Sequence, residues 1–437
     1  MKIKEICMVG LCVLGVSGVQ PVCAEQGIDL GGGWLFSGDI RTGWVNYDYS
    51  NPTGDSSVNK GHKDSKGFYI VPKLSIQTPV MGGFYAKVTG AAATDFGIND
   101  PEDESRNFVF APQDLESFAI LQEVFLAFDT SDKKHHALVG RNEISTPMIE
   151  TDDYYMLANS FEILTYTNRS FEHLMLTGGY FHKMAGVWDS GANGTEFHSM
   201  SDTSFVASAD KERADDSGVG YAGVQFDNEM HNGQVWGYYA PDLYNILFAQ
   251  YDFDHKLSSG FDYNFGAQFI HFKETGELAD HDTTNIDYSM YSARFDGSFD
   301  NGFGFATGLT KYSDGDGQGA TLGAWGAFPY FANGMIFHFF ETGSLRNAAS
   351  FKLQGSYDLS KLGLENLKLS VRYTHFALDS DYSVSSSGEA QDAMNLLGFL
   401  VDYSFLDGAY VSLKYENQST DGEPNVNALR LIGGYRF

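Results

Sequence analysis

The residues best placed for chemistry are cations that recur on the polar side of alternating segments. In one such segment Leu367, Leu369, Val371 and Tyr373 form an apolar face, and Lys368, Ser370 and Arg372 form the opposite one. The same parity places Arg41, Lys73, Lys87, Arg141, Arg294, Lys352, Arg372, Lys414, Arg430 and Arg436 on faces opposite the apolar residues. Side chains alternate across a strand, so cations of equal parity share one side of a sheet. Their chemistry is recognition rather than bond making. A guanidinium offers paired donors to a carboxylate, and a row of cations raises the local concentration of anions.

Constellations for catalysis or metal binding are weak beside that row. Asp314-Gly315-Asp316-Gly317 lacks the spaced ligands and terminal Glu of a calcium loop and reads as a surface turn. His135 and His136 are adjacent on a strand, point to opposite faces and cannot share one metal. His173, His182, His271 and His338 belong to no linked motif, and neither a Gly-x-Ser-x-Gly elbow nor a phosphate loop is present. The expectation is a chain that is not an enzyme and uses no cofactor and no metal.

Holding the cations on one side requires many long strands. Alternation predicts them near 36–49, 67–78, 82–94, 118–129, 135–143, 161–169, 172–183, 218–227, 233–240, 243–254, 260–273, 286–297, 302–312, 347–359, 366–378, 393–405, 408–418 and 425–437. That is about 18 strands, an even number suited to a bacterial barrel with both ends on the periplasmic side. The segment Met335–Phe340 reads as loop, because Pro329 and neighbouring glycines break the pattern. Short connections such as Pro79–Gly83, Asp129–Lys134, Ala240–Asp242, Leu359–Glu365 and Leu406–Gly408 read as periplasmic turns. Longer polar stretches at 50–66, 95–117, 184–217, 274–285, 313–346, 379–392 and 419–424 read as external loops and carry most of the acidity.

Composition supports an all-β fold and excludes several classes. The formal net charge of −29 makes nucleic acid an unsuitable partner. No apolar run beyond residue 24 approaches the length of a membrane-crossing helix, so a multi-span helical protein is excluded. A slightly polar average hydropathy fits a wide, water-filled barrel, in which only alternate side chains meet lipid. In that setting a cation on the lipid face would cost about 2–4 kcal/mol near mid-bilayer, so the ten cations are expected in the lumen.

The two ends of the chain read as export and assembly signals. Lys2 and Lys4, an apolar stretch from Ile6 to Val19, and Val22-Cys23-Ala24 have the order of a signal peptide over residues 1–24, leaving a barrel domain over 25–437. Cys7, Cys12 and Cys23 all fall in that leader, so the remainder can form no disulfide or thiolate site. The last strand ends on Phe437, with Tyr435 two places before it. This ending resembles the terminal signal by which outer-membrane barrels meet their assembly machinery.

Val139-Gly140-Arg141-Asn142-Glu143-Ile144-Ser145-Thr146-Pro147, Asp152-Asp153-Tyr154-Tyr155-Met156 and Asn159-Ser160-Phe161-Glu162 resemble the OprD-type family of substrate-selective outer-membrane porins. So do Tyr238-Tyr239-Ala240-Pro241-Asp242-Leu243-Tyr244 and Phe328-Pro329-Tyr330-Phe331. The resemblance implies an eighteen-stranded transmembrane antiparallel barrel in a Gram-negative outer membrane. It also implies an inward-folded loop that narrows the pore, a basic row on the inner wall, and small organic acids or amino acids as solutes. Loop 144–160 is the candidate constriction. There Glu150, Asp152 and Asp153 would oppose the basic wall, and Tyr154 and Tyr155 would reduce the gap. A solvated external loop is the competing reading of those acids. The functional expectation is passive diffusion of small polar solutes, with preference for carboxylates. A structural or adhesive barrel with acidic surface loops is the alternative, and the sequence leaves monomer and homotrimer both open.

Overall fold

Strands with one apolar and one polar face must bury the first and pair every backbone edge, and closure into a barrel meets both demands in lipid. The computed structural model describes residues 27–50, 64–99, 117–151, 156–186, 196–200, 217–257, 259–277, 279–280, 286–316, 325–336, 344–385, 387–406 and 408–437. The expected leader, 1–24, lies outside the described residues, as do Asp152, Asp153, Tyr154 and Tyr155.

Among the described residues the strands in chain order are β1 (Ile28–Gly31), β2 (Trp34–Tyr49), β3 (Ser65–Gln77), β4 (Phe84–Ala93), β5 (Phe118–Asp129), β6 (His135–Asn142) and β7 (Ser160–Phe171). They continue as β8 (Leu174–Ala185), β9 (His198–Ser199), β10 (Val219–Asp227), β11 (His231–Ala240), β12 (Tyr244–Leu257), β13 (Phe261–Glu274) and β14 (Asp287–Phe299). The last are β15 (Phe303–Tyr312), β16 (Ala349–Asp358), β17 (Leu367–Ala377), β18 (Ala393–Leu406), β19 (Ala409–Thr420) and β20 (Val426–Arg436). All but β1 and β9 form one antiparallel ring of eighteen strands, which β20 closes by pairing with β2 from Asp39↔Arg436 to Tyr49↔Val426. The short β1 folds back on the start of β2, and β9 adds two residues to β8.

The eighteen strands expected from alternation are all present, with edges displaced by a few residues; β5 coincides with its expected span. No helix among the described residues is long and apolar enough to cross a membrane. The turn Leu359–Leu362 is a single 3-10 turn, capped by the Asp358 carboxylate accepting from the Ser360 amide.

One connection lies at the opposite end from that expected. Strand directions alternate around the ring, which puts Ala240–Asp242 beside the long connections rather than among the short turns. The Thr275 amide donates to Leu243 O at 3.0 Å and the Glu277 amide to Asp242 Oδ1 at 3.0 Å, joining this turn to the connection between β13 and β14. Loop length was the misleading cue.

The two faces differ as the pattern requires. Trp44, Leu353, Val371 and Phe399 remain exposed on the outside, while their neighbours Val45, Lys352 and Arg372 are buried inside. At the short-turn end, outward aromatics pack into a girdle, with Phe84–Phe128 and Phe261–Phe299 centroids both 4.7 Å apart. Such belts sit at the membrane–water boundary. Inward faces are apolar toward the long-connection end, as at Ile246, Phe248, Ile270, Phe272 and Met290, and turn polar below it, at Gln250, Asp252, Gln268, Ser292 and Arg294.

Candidate functional site

Nine of the ten cations lie at inward positions of their strands, and their partners divide them into groups. Arg141 is the exception, because it is in register with Val124 and the exposed Val88 and lies two places along from the exposed Val139, in an outward row. Arg141 donates from Nε and Nη2 to Glu162 Oε1 at 3.0 and 2.9 Å and stacks over Phe197 at 4.1 Å. Lys87 pairs with Glu123 at 3.0 Å, and Arg294 pairs with Asp252 at 2.6 Å. Lys414 and Arg430 are cross-strand neighbours on β19 and β20. Lys352 is buried between Gly308 and Thr374 in the register of β15 and β17. Arg436 differs: it lies exposed at the short-turn rim, over the Tyr410 ring and 3.2 Å from Asp39.

Three of the cations hold chain segments that enter the barrel. Lys73 forms an ion pair with Glu143, where the connection from β6 to β7 begins. Arg41 Nη1 donates to Met156 O at 2.8 Å near that connection's far end, and Gln122 Nε2 donates to Ala158 O at 2.9 Å. Between them Tyr238 on β11 donates to Thr146 Oγ1 at 2.9 Å. The described parts of loop 144–160 therefore touch inward residues of β2, β5 and β11, on both flanks of β6 and β7. Glu150 belongs to this connection, its amide donating to Trp325 O at 3.0 Å and its carbonyl accepting from Asn159 at 3.1 Å. The expected roles of Asp152, Asp153, Tyr154 and Tyr155 fall outside the described residues.

The third anchor, Arg372, reveals a second inward segment that sequence reasoning placed in an external loop. Residues Trp325–Ile336 lie against the inner wall, with Trp325, Ala327, Tyr330, Phe331, Ala332 and Ile336 all buried. Gln268 donates to Pro329 O at 2.8 Å, Thr374 to Asn333 O at 2.8 Å, and Arg372 Nη1 to Gly334 O at 2.6 Å. Glu416 accepts from the Met335 and Ile336 amides at 2.7 and 2.6 Å. The available signal was the apolar run Phe328–Ala332 inside a connection of an acidic protein. A solvated loop has no reason to carry it.

Glycines make room for this segment. A Cβ at Gly308 would sit 2.7 Å from Phe331 O, and one at Gly398 would sit 2.8 Å from Met335 Sδ. The two inward segments meet at the Ile149↔Gly326 bridge. Trp325 packs there edge-on to Phe181 at 5.2 Å and stacks on Tyr244 at 5.4 Å. The long connection holding Trp325 is also clasped outside the barrel. Arg346 donates from Nε to Asp314 Oδ1 at 2.9 Å, pairs with Asp316, and lies over the Tyr382 ring at 4.2 Å. The Arg346 hydrogen bond holds the Asp314 carboxyl below its usual range.

At the seam, Phe437 N and O bond Gly38 O and N at 3.0 and 2.9 Å. The Phe437 ring packs beside Phe36 and Tyr435 with centroids 5.6 and 6.0 Å away.

Comparison with known proteins agrees with this geometry. A search of curated protein sequences found no match. The structure resembles OccK9 (OpdG) of Pseudomonas aeruginosa, with a TM-score of 0.75 and 14% identity over 92% of this chain and 98% of that one. It also resembles P. aeruginosa OpdK determined with vanillate (TM-score 0.70, 14% identity, 92% of this chain and 98% of that one). A BenF-like porin from Pseudomonas fluorescens Pf-5 gives a TM-score of 0.70 at 14% identity, over 92% of this chain and 99% of that one. These likenesses establish the fold. The family model described as outer membrane porin, OprD family, matches residues 134–437, and with it the chain belongs to the OprD family of porins in the Gram-negative outer membrane.

Proposed function

We propose that this porin passes small polar solutes by passive diffusion and favours those bearing a carboxylate, such as organic acids or amino acids. The observation that carries the preference is the set of cations on the inner wall beside two chain segments that enter the barrel. Lys73, inward on β3 and paired with Glu143, keeps 23% of its side chain exposed. A cation facing a narrowed, water-filled passage attracts anions, and a guanidinium fits a carboxylate with paired bonds. The vanillate in the OpdK structure is a carboxylate solute of a protein with the same fold. On this reading Glu150, Asp152 and Asp153 face the cations across the gap and orient a dipolar solute.

The same reading assigns residues 1–24 to export, and Tyr435 with Phe437 to recognition by the barrel-assembly machinery. Outer-membrane lipid covers the exposed apolar face, and a homotrimer is compatible with a barrel of this kind. The test is conductance of the purified protein in planar bilayers. Stepwise ionic currents partly blocked by organic anions, and less by neutral solutes of equal size, are expected. A barrel that conducts nothing would overturn the porin function and leave a structural or adhesive role.

A further inference from the structure

We propose that Glu416 and Arg372 are positioning residues that set the size limit of the pathway by pinning the Trp325–Ile336 segment across the inner wall. The inference rests on the porin reading above. It concerns how wide the passage is rather than which solute prefers it.

The wall beneath this segment is matched to backbone polarity at one place. Arg372 on β17, Gly398 on β18 and Glu416 on β19 are direct cross-strand neighbours. The cation takes a carbonyl, Gly334 O at 2.6 Å; the anion takes the next two amides, Met335 N at 2.7 Å and Ile336 N at 2.6 Å. The glycine between them leaves the space that Met335 fills, because a Cβ there would meet its sulfur at 2.8 Å. Cation, gap and anion thus form a cradle that accepts the chain in one direction only.

Both charges are committed to this task. Arg372 is 1% exposed and Glu416 0% exposed. Each carboxylate oxygen of Glu416 already accepts an amide, and Arg372 Nε already donates to Gln354 Oε1 at 2.9 Å. Charged groups survive burial when their hydrogen-bonding capacity is met, and charge-assisted bonds are roughly twice as strong as neutral ones. Thr310 and Ser350 meet Ala332 through neutral hydrogen bonds at 3.3 and 3.1 Å, and Arg294 touches the segment only through the Phe331 ring, 4.8 Å from its centroid. The ionic cradle is therefore the strong fixing point of the segment. A glutamine at 416 could accept only one of the two amides and would turn its own N–H groups toward the other.

The experiment compares the full-length protein with Glu416→Gln and Arg372→Lys in planar bilayers, using neutral polyethylene glycols of graded size to find the largest polymer admitted. Arg372→Lys keeps the charge and loses the planar fork that reaches both Gly334 and Gln354, and it carries the test should Glu416→Gln not assemble. Both variants are expected to admit larger polymers and to raise single-channel conductance. An unchanged polymer limit in conducting channels would overturn the proposal, as would a Glu416→Gln variant that shifts only the reversal potential. Neutral polymers separate this outcome from solute preference. A wild type that does not conduct fails the porin reading. A conducting wild type whose variants keep its size limit fails only the pin.

Discussion

Replacing Lys73 by alanine is the sharpest probe of solute preference, because this inward cation is paired but not enclosed. Its side chain and that of Glu143 are each 23% exposed, and the ammonium meets one oxygen of that carboxylate. An ammonium has three N–H donors, so its pairing with Glu143 leaves donors for a passing carboxylate. A unit charge about 4 Å from such a solute contributes about 1 kcal/mol in water. Physiological salt, with a Debye length of about 8 Å, reduces this to about 0.6 kcal/mol, or about a threefold change. Lys73→Ala should therefore lower the anion-to-cation permeability ratio by about threefold, read from reversal potentials across a salt gradient. Neutralising Glu143 as well, in Lys73→Ala/Glu143→Gln, removes one charge of each sign and should return the ratio close to wild type. An unchanged ratio in the single variant, or an equal shift in the double variant, would refute the local electrostatic argument.

Leu353→Arg on the outer face of β16 should cost about 2–4 kcal/mol in urea titrations of protein folded into lipid vesicles. Ser356→Arg, three residues along and facing inward, should cost much less. Phe437→Ala removes the ring packed against Phe36 and Tyr435 and should lower the yield of heat-modifiable, folded protein on electrophoresis. Because Arg346 holds the Asp314 carboxyl low, the stabilisation from that clasp is fully present above the ordinary aspartate range of about pH 4 and is lost as pH falls through the depressed value. Hydrogen exchange at residues 344–348 should quicken in that acidic window, and Asp314→Asn should abolish the dependence.

The barrel was legible because each strand repeats one rule, apolar outward and polar inward, and that rule needs no knowledge of neighbours. Parity also put nine of the cations on the inward side, since side follows from position alone, but it misplaced Arg141, which has the parity of the exposed Val139. Their partners were not legible. Whether Arg372 meets a solute or Gly334 O depends on where a connection of more than thirty residues returns, and alternation says nothing about that. The Trp325–Ile336 segment was missed for the same reason: Pro329 and Gly334 interrupt any periodic pattern, although its buried aromatics set it apart from a solvated loop. The turn at Ala240–Asp242 misled because its length was read in place of strand direction.

The seam between β2 and β20 has a consequence in time. Every other pairing in the ring joins strands that follow one another in the chain, β9 aside, whereas Asp39 and Arg436 meet across 397 positions. Hairpins can form as the chain is delivered, but the ring cannot shut until β20 and Phe437 are present to bond β2. Until then β2 and β20 are open edges, the kind that recruit foreign strands. Closing so long a loop also carries an entropy that grows with its length. Completion of this pore is thus a single late event, and any truncation at the carboxy terminus converts a slow last step into a permanent exposed edge.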